Sequence, residues 1–163
     1  MKQLILVRHA KSSWDQPALS DRDRPLNKRG RKNAPEMGSR LANKGVTVDR
    51  VLSSPANRAF TTAETLAQAI GFDIKRIEKN DSMYFEGKTA MQDIVHSMPD
   101  EIDNLMLVGH NPDMTSFFNY LCGYQTVNMP TCAIARIQVD SGWHDVAANC
   151  GLVVEYDFPK NKR

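Results

Sequence analysis

Two short, uninterrupted apolar runs stand out along the chain, at Leu4–Val7 and at Leu105–Val108. A run without alternating polar positions is typical of a strand buried on both faces of an α/β sheet. Weaker strand candidates follow at 48–52, 72–77, 133–139, 143–147 and 152–156. Turn residues separate the last three candidates, which predicts meander or edge strands in the C-terminal third.

Apolar residues at helical spacing lie between the strand candidates. The pattern predicts one helix over 55–70, with Ser54 as its N-cap. A second predicted helix covers 27–44, where Pro35 favours a kink or a late start. A third opens at 111–113 and ends before a glycine. Strands that alternate with helices predict a three-layer α/β/α fold with a mostly parallel central sheet.

Length and charge narrow the class of protein. The length of 163 residues favours a single domain over 1–163, with 159–163 as a loose tail. The composition, 41% hydrophobic and 25% charged, is that of an ordinary folded protein. A net charge of +2 is too small to attract a nucleic-acid backbone, so we expect no nucleic-acid partner.

Cysteine usage and the absence of targeting signals favour the cytoplasm. Cys122, Cys132 and Cys150 are odd in number and widely spaced, which fits neither a disulfide framework nor a zinc motif. No apolar stretch approaches the roughly 20 residues of a membrane span. Met1 runs directly into the first strand candidate, without the pattern of a signal peptide. We therefore expect a cytoplasmic protein without a membrane partner.

Histidine and arginine follow the two most buried strand candidates. Arg8 and His9 come directly after the first apolar run, and His110 follows the second run after one glycine. Ligands of open α/β sheets bind beyond the carboxyl ends of the strands, so both imidazoles are expected in one crevice. Arg58 lies in the first turn of the helix predicted after 48–52, again just beyond a strand candidate.

Together these side chains describe a site for a tetrahedral dianion. The planar fork of arginine matches phosphate oxygens, and a helix N-terminus offers backbone N–H groups to an anion. A single histidine at a strand end is more often structural, and a single arginine on a helix is more often a solvated charge. Their coincidence at three strand ends favours function.

Four separated motifs resemble the histidine phosphatase superfamily, and within it the small SixA-type phosphohistidine phosphatases. They stand in the family's order at Leu6–Trp14, Arg24–Gly30, Ser53–Thr62 and Val108–Pro112. The resemblance implies a phosphoglycerate mutase-like fold. It also implies a hydrolase that transfers a phosphoryl group to a histidine and then to water.

The resemblance assigns roles to individual residues. It implies that His9 is the nucleophile. It further implies that Arg8, Arg58 and His110 hold the three equatorial oxygens of the phosphoryl group, where charge gathers in the transition state. Arg24 would reach the phosphate as well. No metal ion and no cofactor is expected, because the arginines supply the positive charge.

Two positions depart from the family pattern, and the general acid is not assigned to one residue. Ala10 stands where the family usually has glycine, which requires a negative φ there. Asp15 stands where mutase-like relatives have asparagine, so its carboxylate is expected to point away from a phosphate. Asp81 and Glu86 are the candidates for a general acid, although acidic loop residues are more often solvated charges. A phosphohistidine substrate would ask little of such an acid.

The length of the chain limits how far the site can be covered, and this affects which substrates it can take. Little room remains for a segment that roofs the site, so we expect an open, shallow pocket suited to a phosphorylated protein, such as a histidine-containing phosphotransfer domain. The basic segment Arg22–Lys32 is either a rim that receives this acidic partner or an ordinary solvated face. The alternatives are a broad phosphomonoesterase that takes small phosphate esters and a phosphate-dependent binding module without turnover.

Overall fold

The computed structural model describes residues 1–125 and 128–161, in which four helices flank a six-stranded sheet. The strands are β1 (Lys2–Arg8), β2 (Arg50–Ser53), β3 (Glu78–Lys79), β4 (Asn104–Gly109), β5 (Ile134–Val139) and β6 (Gly151–Asp157). The helices are α1 (Lys28–Asn43), α2 (Asn57–Ala69), α3 (Gly87–His96) and α4 (Asp113–Cys122).

The strands follow the order β3-β2-β4-β1-β5-β6 across the sheet. The pairs β1 with β4, β4 with β2, and β2 with β3 are parallel. Strand β5 runs antiparallel to both of its neighbours, β1 and β6, so it alone among these strands opposes the common direction. The predicted α/β fold with a mostly parallel sheet is confirmed.

The two apolar runs of the sequence form the centre of the sheet. Leu4–Val7 lies beside Leu105–Val108 in parallel register, and all of these residues are fully buried. The register continues to Arg8 opposite Gly109. The two chain segments that follow therefore leave the same edge of the sheet side by side.

Helices cover both faces of the sheet, which explains why these runs are apolar at every position. Side chains such as Ile5 and Met106 face a core shared with α1 and α2. The alternate side chains, such as Leu4 and Leu107, face the core shared with α3 and α4. Each central strand thus buries two faces, as expected for a three-layer fold.

Helix α1 starts earlier than Pro35 led us to expect. The Asn27 side chain accepts a hydrogen bond from the Gly30 N–H at 2.8 Å and caps the helix, which then runs through Pro35 to Asn43. Gly30 is required because a Cβ there would lie 2.2 Å from the Lys11 carbonyl oxygen. This close approach joins the start of α1 to the segment after β1.

Two weaker strand predictions are wrong. Residues 74–76 form a 3₁₀ turn, which Asp73 caps by accepting from the Lys75 N–H, and the strand comes later at Glu78–Lys79. Residues 143–145 also form a 3₁₀ turn. There the Trp143 indole donates to the Ile102 carbonyl at 2.6 Å and is fully buried, so core packing overrides the strand-like pattern.

Helix α3 was not predicted, and helix α2 begins two residues later than its predicted start at Pro55.

The expected loose tail is anchored as far as Asn161. Arg40 donates to the Pro159 carbonyl, and Asn161 donates to Asp157. Lys162 and Arg163 lie outside the described residues. No helix in the described ranges is both long and apolar enough to cross a membrane.

Candidate functional site

The segment after β1 fixes His9 at the carboxyl edge of the sheet. Its backbone N–H donates to Gly109 at 3.0 Å, and its carbonyl accepts from Cys132 at 3.0 Å. The residue is 8% exposed, and its ring Nδ1 lies 2.7 Å from the Ala10 carbonyl oxygen. A carbonyl oxygen only accepts, so Nδ1 carries the hydrogen and the lone pair of the neutral ring is on Nε2.

Ala10 fits the position where glycine was expected. It is fully buried, and its N–H donates to Thr62 Oγ1 at 3.0 Å. Among the described non-glycine residues, a positive φ occurs at Phe85, Cys132 and Asn149, so Ala10 meets the requirement for a negative φ. The alanine therefore costs no backbone strain.

His110 leaves the neighbouring strand β4 and meets His9. The centroids of the two rings are 5.1 Å apart. Nε2 of His110 lies 2.7 Å from Ser54 Oγ, which itself accepts from the Ala56 N–H at 3.2 Å. Nδ1 of His110 is buried and has no hydrogen-bond partner within the described part of the chain. A buried nitrogen in this state is suited to a ligand.

Two aromatic residues cover His110 from the side of the 81–86 loop. The Phe85 ring stacks on the imidazole at a centroid distance of 4.4 Å, and Tyr84 packs edge-on at 5.5 Å. Phe85 adopts φ of 63°, in the left-handed region that is costly for a bulky side chain. The loop is thus strained at the residue that contacts His110.

Three arginines converge on the same edge. Arg58 is 3% exposed and Arg24 is 7% exposed, so both guanidinium groups are buried. Arg8 donates to the Met129 carbonyl at 2.9 Å, while its Nε has no hydrogen-bond partner within residues 1–125 and 128–161. Arg24 donates to Ser13 and to Ser12, and its guanidinium lies 3.2 Å from the centre of the exposed Trp14 ring.

A carboxylate bridges two of these arginines. Asp21 accepts from Arg24 Nη1 at 2.8 Å and from Arg58 Nη2 at 2.9 Å. Its backbone carbonyl accepts a further bond from Arg58 Nη1 at 2.7 Å, and the Tyr84 hydroxyl donates to its Oδ2 at 2.5 Å. Burial raises the pKa of Asp21, but the bonds from Tyr84 and the two arginines outweigh it and hold that pKa well below its usual range.

Both histidines are kept neutral. Burial lowers the pKa of His9 to about 4, and the positive charge of the three arginines acts in the same direction. Burial also lowers the pKa of His110 to about 3, with His9 and Arg58 contributing. A neutral imidazole has a lone pair to offer, so the site is prepared for nucleophilic attack near neutral pH.

These groups surround a cavity of about 300 Å³ at the carboxyl edge. Of the predicted site residues, Arg8, His9, Arg24 and Arg58 line this cavity, and His110 lies behind them against the His9 ring. Lys11, Ser12, Trp14, Asp21, Phe85 and Thr131 complete the lining. Buried guanidinium groups and neutral imidazoles around such a space are suited to a tetrahedral oxyanion.

The two candidate general acids lie elsewhere. Asp81 and Glu86 are exposed, and neither is among the described residues that line the cavity. Asp15 lines an adjacent groove of about 640 Å³ and is not among the described residues that line the His9 cavity. Basic residues Lys11, Lys28, Arg29 and Lys32 line that groove.

Sequence reasoning missed the roles of Asp21, Tyr84 and Phe85. Asp21 directly precedes the basic segment Arg22–Lys32 and was not singled out, and neither was the aromatic pair. Phe85, the second of the pair, stands six positions before Met91, which begins an apolar i, i+3, i+4 pattern with Ile94 and Val95. Recognition of that pattern as α3 would have placed the preceding loop at the carboxyl edge of the sheet.

The fold and the cavity together define an α/β protein with a pocket suited to an oxyanion beside a histidine. Residues 4–113 match the histidine phosphatase superfamily (branch 1). The chain belongs to this family. A chloroplastic protein of Arabidopsis thaliana is 34% identical over 160 residues, which cover 92% of this chain and 72% of that protein.

Solved structures agree with the family. A protein of Agrobacterium tumefaciens assigned to SixA, a phosphohistidine phosphatase, superposes with a TM-score of 0.81 at 26% identity, covering 97% of this chain and 98% of that chain. The protein histidine phosphatase SixA complexed with tungstate superposes with a TM-score of 0.83 at 24% identity, covering 98% of both chains. The predicted resemblance to SixA-type proteins is confirmed, and the family supports phosphatase activity, a hydrolase reaction.

Proposed function

We propose that the protein is a phosphatase that transfers the phosphoryl group to Nε2 of His9 and then to water. The observation that carries the proposal is the bond from His9 Nδ1 to the Ala10 carbonyl at 2.7 Å. This bond fixes the tautomer in which Nε2 holds the lone pair. Burial adds to it by keeping the ring unprotonated.

The first step forms a bond between His9 Nε2 and phosphorus, and it breaks the bond from phosphorus to the leaving group. The electron pair of that bond goes to the leaving group. In the second step, water forms a new oxygen–phosphorus bond, and the phosphorus–nitrogen bond breaks to return neutral His9. The product is orthophosphate, which keeps the protons of the attacking water and then exchanges them with solvent.

The arginines and His110 would stabilise the charge that gathers on the phosphoryl oxygens. Arg8 and His110 each keep a buried nitrogen that has no hydrogen-bond partner among the described residues, and we assign these nitrogens to the phosphoryl oxygens. Arg58 still has N–H groups beyond the two that Asp21 engages. Donors that are already in place cost little reorganisation during the transfer.

Guanidinium groups would supply the positive charge that a metal ion supplies in other phosphatases. No cluster of three or more His, Cys, Asp or Glu side chains suited to a metal occurs among the residues that the structure describes. Activity is therefore expected to persist in EDTA. Loss of activity in EDTA with recovery in magnesium would indicate a metal-dependent phosphatase instead.

We further propose that the substrate is phosphohistidine in a protein. The cavity is bordered by exposed Trp14 and Phe85, 74% and 46% accessible, and opens beside the basic groove. A macromolecule can approach such an open site. Neither candidate general acid lines the cavity, which suits an imidazole leaving group better than an alkoxide, because imidazole leaves with less need of protonation.

The experiment compares substrates at equal enzyme concentration. A phosphorylated histidine-containing phosphotransfer domain, p-nitrophenyl phosphate and glucose 6-phosphate are assayed for kcat/KM. The phosphorylated domain is expected to turn over fastest. Faster turnover of glucose 6-phosphate would favour the broad phosphomonoesterase, and binding of the phosphorylated domain without release of phosphate would favour the binding module.

A further inference from the structure

Asp21 occupies the mouth of the His9 cavity, and both of its carboxylate oxygens are engaged. Oδ1 accepts from Arg24, and Oδ2 accepts from Arg58 and from the Tyr84 hydroxyl. Three donors from separate side chains, of which only Arg58 lies in a helix, therefore hold the carboxylate in one place. Two of these donors belong to arginines that line the cavity.

We propose that Asp21 is a specificity-determining residue, which excludes phosphorylated compounds that carry a second anionic group close to the phosphoryl group. The inference rests on the proposed function of the cavity and adds a substrate class to it. The favoured substrates are those in which the phosphoryl group is attached to an uncharged leaving group, such as imidazole.

Asp21 lies on the open side of the cavity, the side to which the proposed transfer directs the leaving group. His9 is 8% exposed and the Asp21 side chain is 43% exposed, although both line the same cavity. In-line transfer places the attacking and leaving atoms on opposite sides of phosphorus. Because the attacking nitrogen is at the floor, the leaving group points outward, toward Asp21.

The charges of the cavity match a single phosphoryl dianion. The guanidinium groups of Arg8, Arg24 and Arg58 are positive, and the Asp21 carboxylate cancels one of them. The remaining positive charge equals that of one dianion. Lys11 is exposed at the edge of the cavity, where solvent screens its charge.

A carboxylate in the leaving group would face Asp21 at short range. Like charges repel, and two arginines of the cavity, Arg24 and Arg58, are already paired with Asp21. An uncharged imidazole meets no such repulsion. Asp21 does not act as the proton donor in this arrangement, because its three hydrogen-bond donors favour the ionised carboxylate.

The test is the substitution Asp21→Asn, assayed with phosphoimidazole and with 3-phosphoglycerate. The variant is expected to raise kcat/KM for 3-phosphoglycerate relative to phosphoimidazole by about tenfold, the size expected for removing one charge from a partly solvated site. Asp23→Asn is the matched control. It removes the same charge from the same 3₁₀ turn, but Asp23 lines a different pocket, so the ratio is expected to stay unchanged.

Two outcomes would overturn the inference. An equal gain for both substrates would mean that Asp21 competes with the phosphoryl group itself, and an equal loss would mean that it only positions the arginines. Thermal unfolding checks that the variant folds, and Asp21→Ser takes its place if Asp21→Asn does not. Failure of the wild-type protein to form a phosphoenzyme from phosphoimidazole would instead contradict the proposed function.

Discussion

The Ala10 N–H donates to the Thr62 hydroxyl at 3.0 Å, and this bond ties the residue after His9 to helix α2. The same hydroxyl donates to the Arg58 carbonyl at 2.7 Å, one turn earlier in the helix. Thr62 is fully buried, so water cannot replace it. One hydroxyl thus sets the spacing between the proposed nucleophile and an arginine of the site.

Thr62→Val is expected to lower both stability and activity. Valine keeps the shape but leaves the Ala10 N–H buried without a partner, which costs about 1–3 kcal/mol of the free energy of unfolding. Release of the segment should also lower kcat by about tenfold or more. Chemical denaturation and steady-state kinetics measure the two effects. Thr61→Val, whose hydroxyl donates to Asn57 on the same helix, should change both quantities little.

His9→Ala is expected to abolish the covalent intermediate. Wild-type protein mixed with ³²P-labelled phosphoimidazole and quenched in alkali should retain label that is lost in acid, as expected for a phosphohistidine. The variant should retain none. His144→Ala removes an exposed histidine and should label like the wild type. Turnover by His9→Ala at the wild-type rate would rule out the proposed nucleophile.

Arg58→Ala and His110→Ala are each expected to lower kcat by about 10²-fold or more, because each removes a donor that is in place before charge develops. Arg76→Ala, which removes an exposed arginine that contacts Phe72, serves as the control and should leave kcat unchanged. A rise in KM at constant kcat would show that the two residues bind the ground state instead.

The lowered pKa values predict how stability depends on pH. His9, with a pKa of about 4, and His110, with a pKa of about 3, bind a proton less readily in the folded protein than in the unfolded chain, where the value is 6.5. Their contribution to stability is therefore present above pH 6.5 and is lost as pH falls toward 4. The free energy of unfolding, measured by denaturant titration, should therefore increase as the pH is raised from 4 to 6.5. His9→Ala should make this rise shallower, and an unchanged slope would contradict the prediction.

The basic groove is expected to matter for a protein substrate only. Arg29→Glu with Lys32→Glu should lower kcat/KM for a phosphorylated phosphotransfer domain, more strongly at low salt, and leave p-nitrophenyl phosphate unaffected. Arg31 is less informative, because it donates to the Leu26 carbonyl and helps to hold the segment itself. An equal loss of kcat/KM for both substrates would show that the substitutions act on the catalytic cavity and not on the docking of a protein.

The centre of the fold was predictable because its signal is local. Leu4–Val7 and Leu105–Val108 are apolar at every position, and that pattern has few explanations other than a strand between two layers. The errors lie where tertiary contacts decide. Trp143 lies in a strand-like pattern, but its indole finds a carbonyl at Ile102 and a place in the core, and a turn results.

Some residues of the site were likewise predictable from local sequence, and others depend on tertiary contacts. His9 and His110 were predictable because each follows a buried strand, and strand order brings such positions together. The place of Asp21 could not be predicted, because it depends on the Tyr84 hydroxyl, 63 residues away, and on two arginines that fold over it. A carboxylate next to a basic segment looks like a solvated charge until its partners are known.

His9 and His110 follow the paired strands β1 and β4, whereas Asp21 lies outside the sheet, and the two parts of the site therefore differ in local stability. His9 and His110 extend from strands that are hydrogen-bonded to neighbours on both sides, so their anchorage opens only when the whole sheet comes apart. Asp21 lies on an exposed turn outside the sheet, which can open as a small unit of its own. The His9 floor of the cavity is thus anchored in the sheet, whereas opening of the turn that carries Asp21 would break its bonds to Arg24 and Arg58 and so alter the cavity.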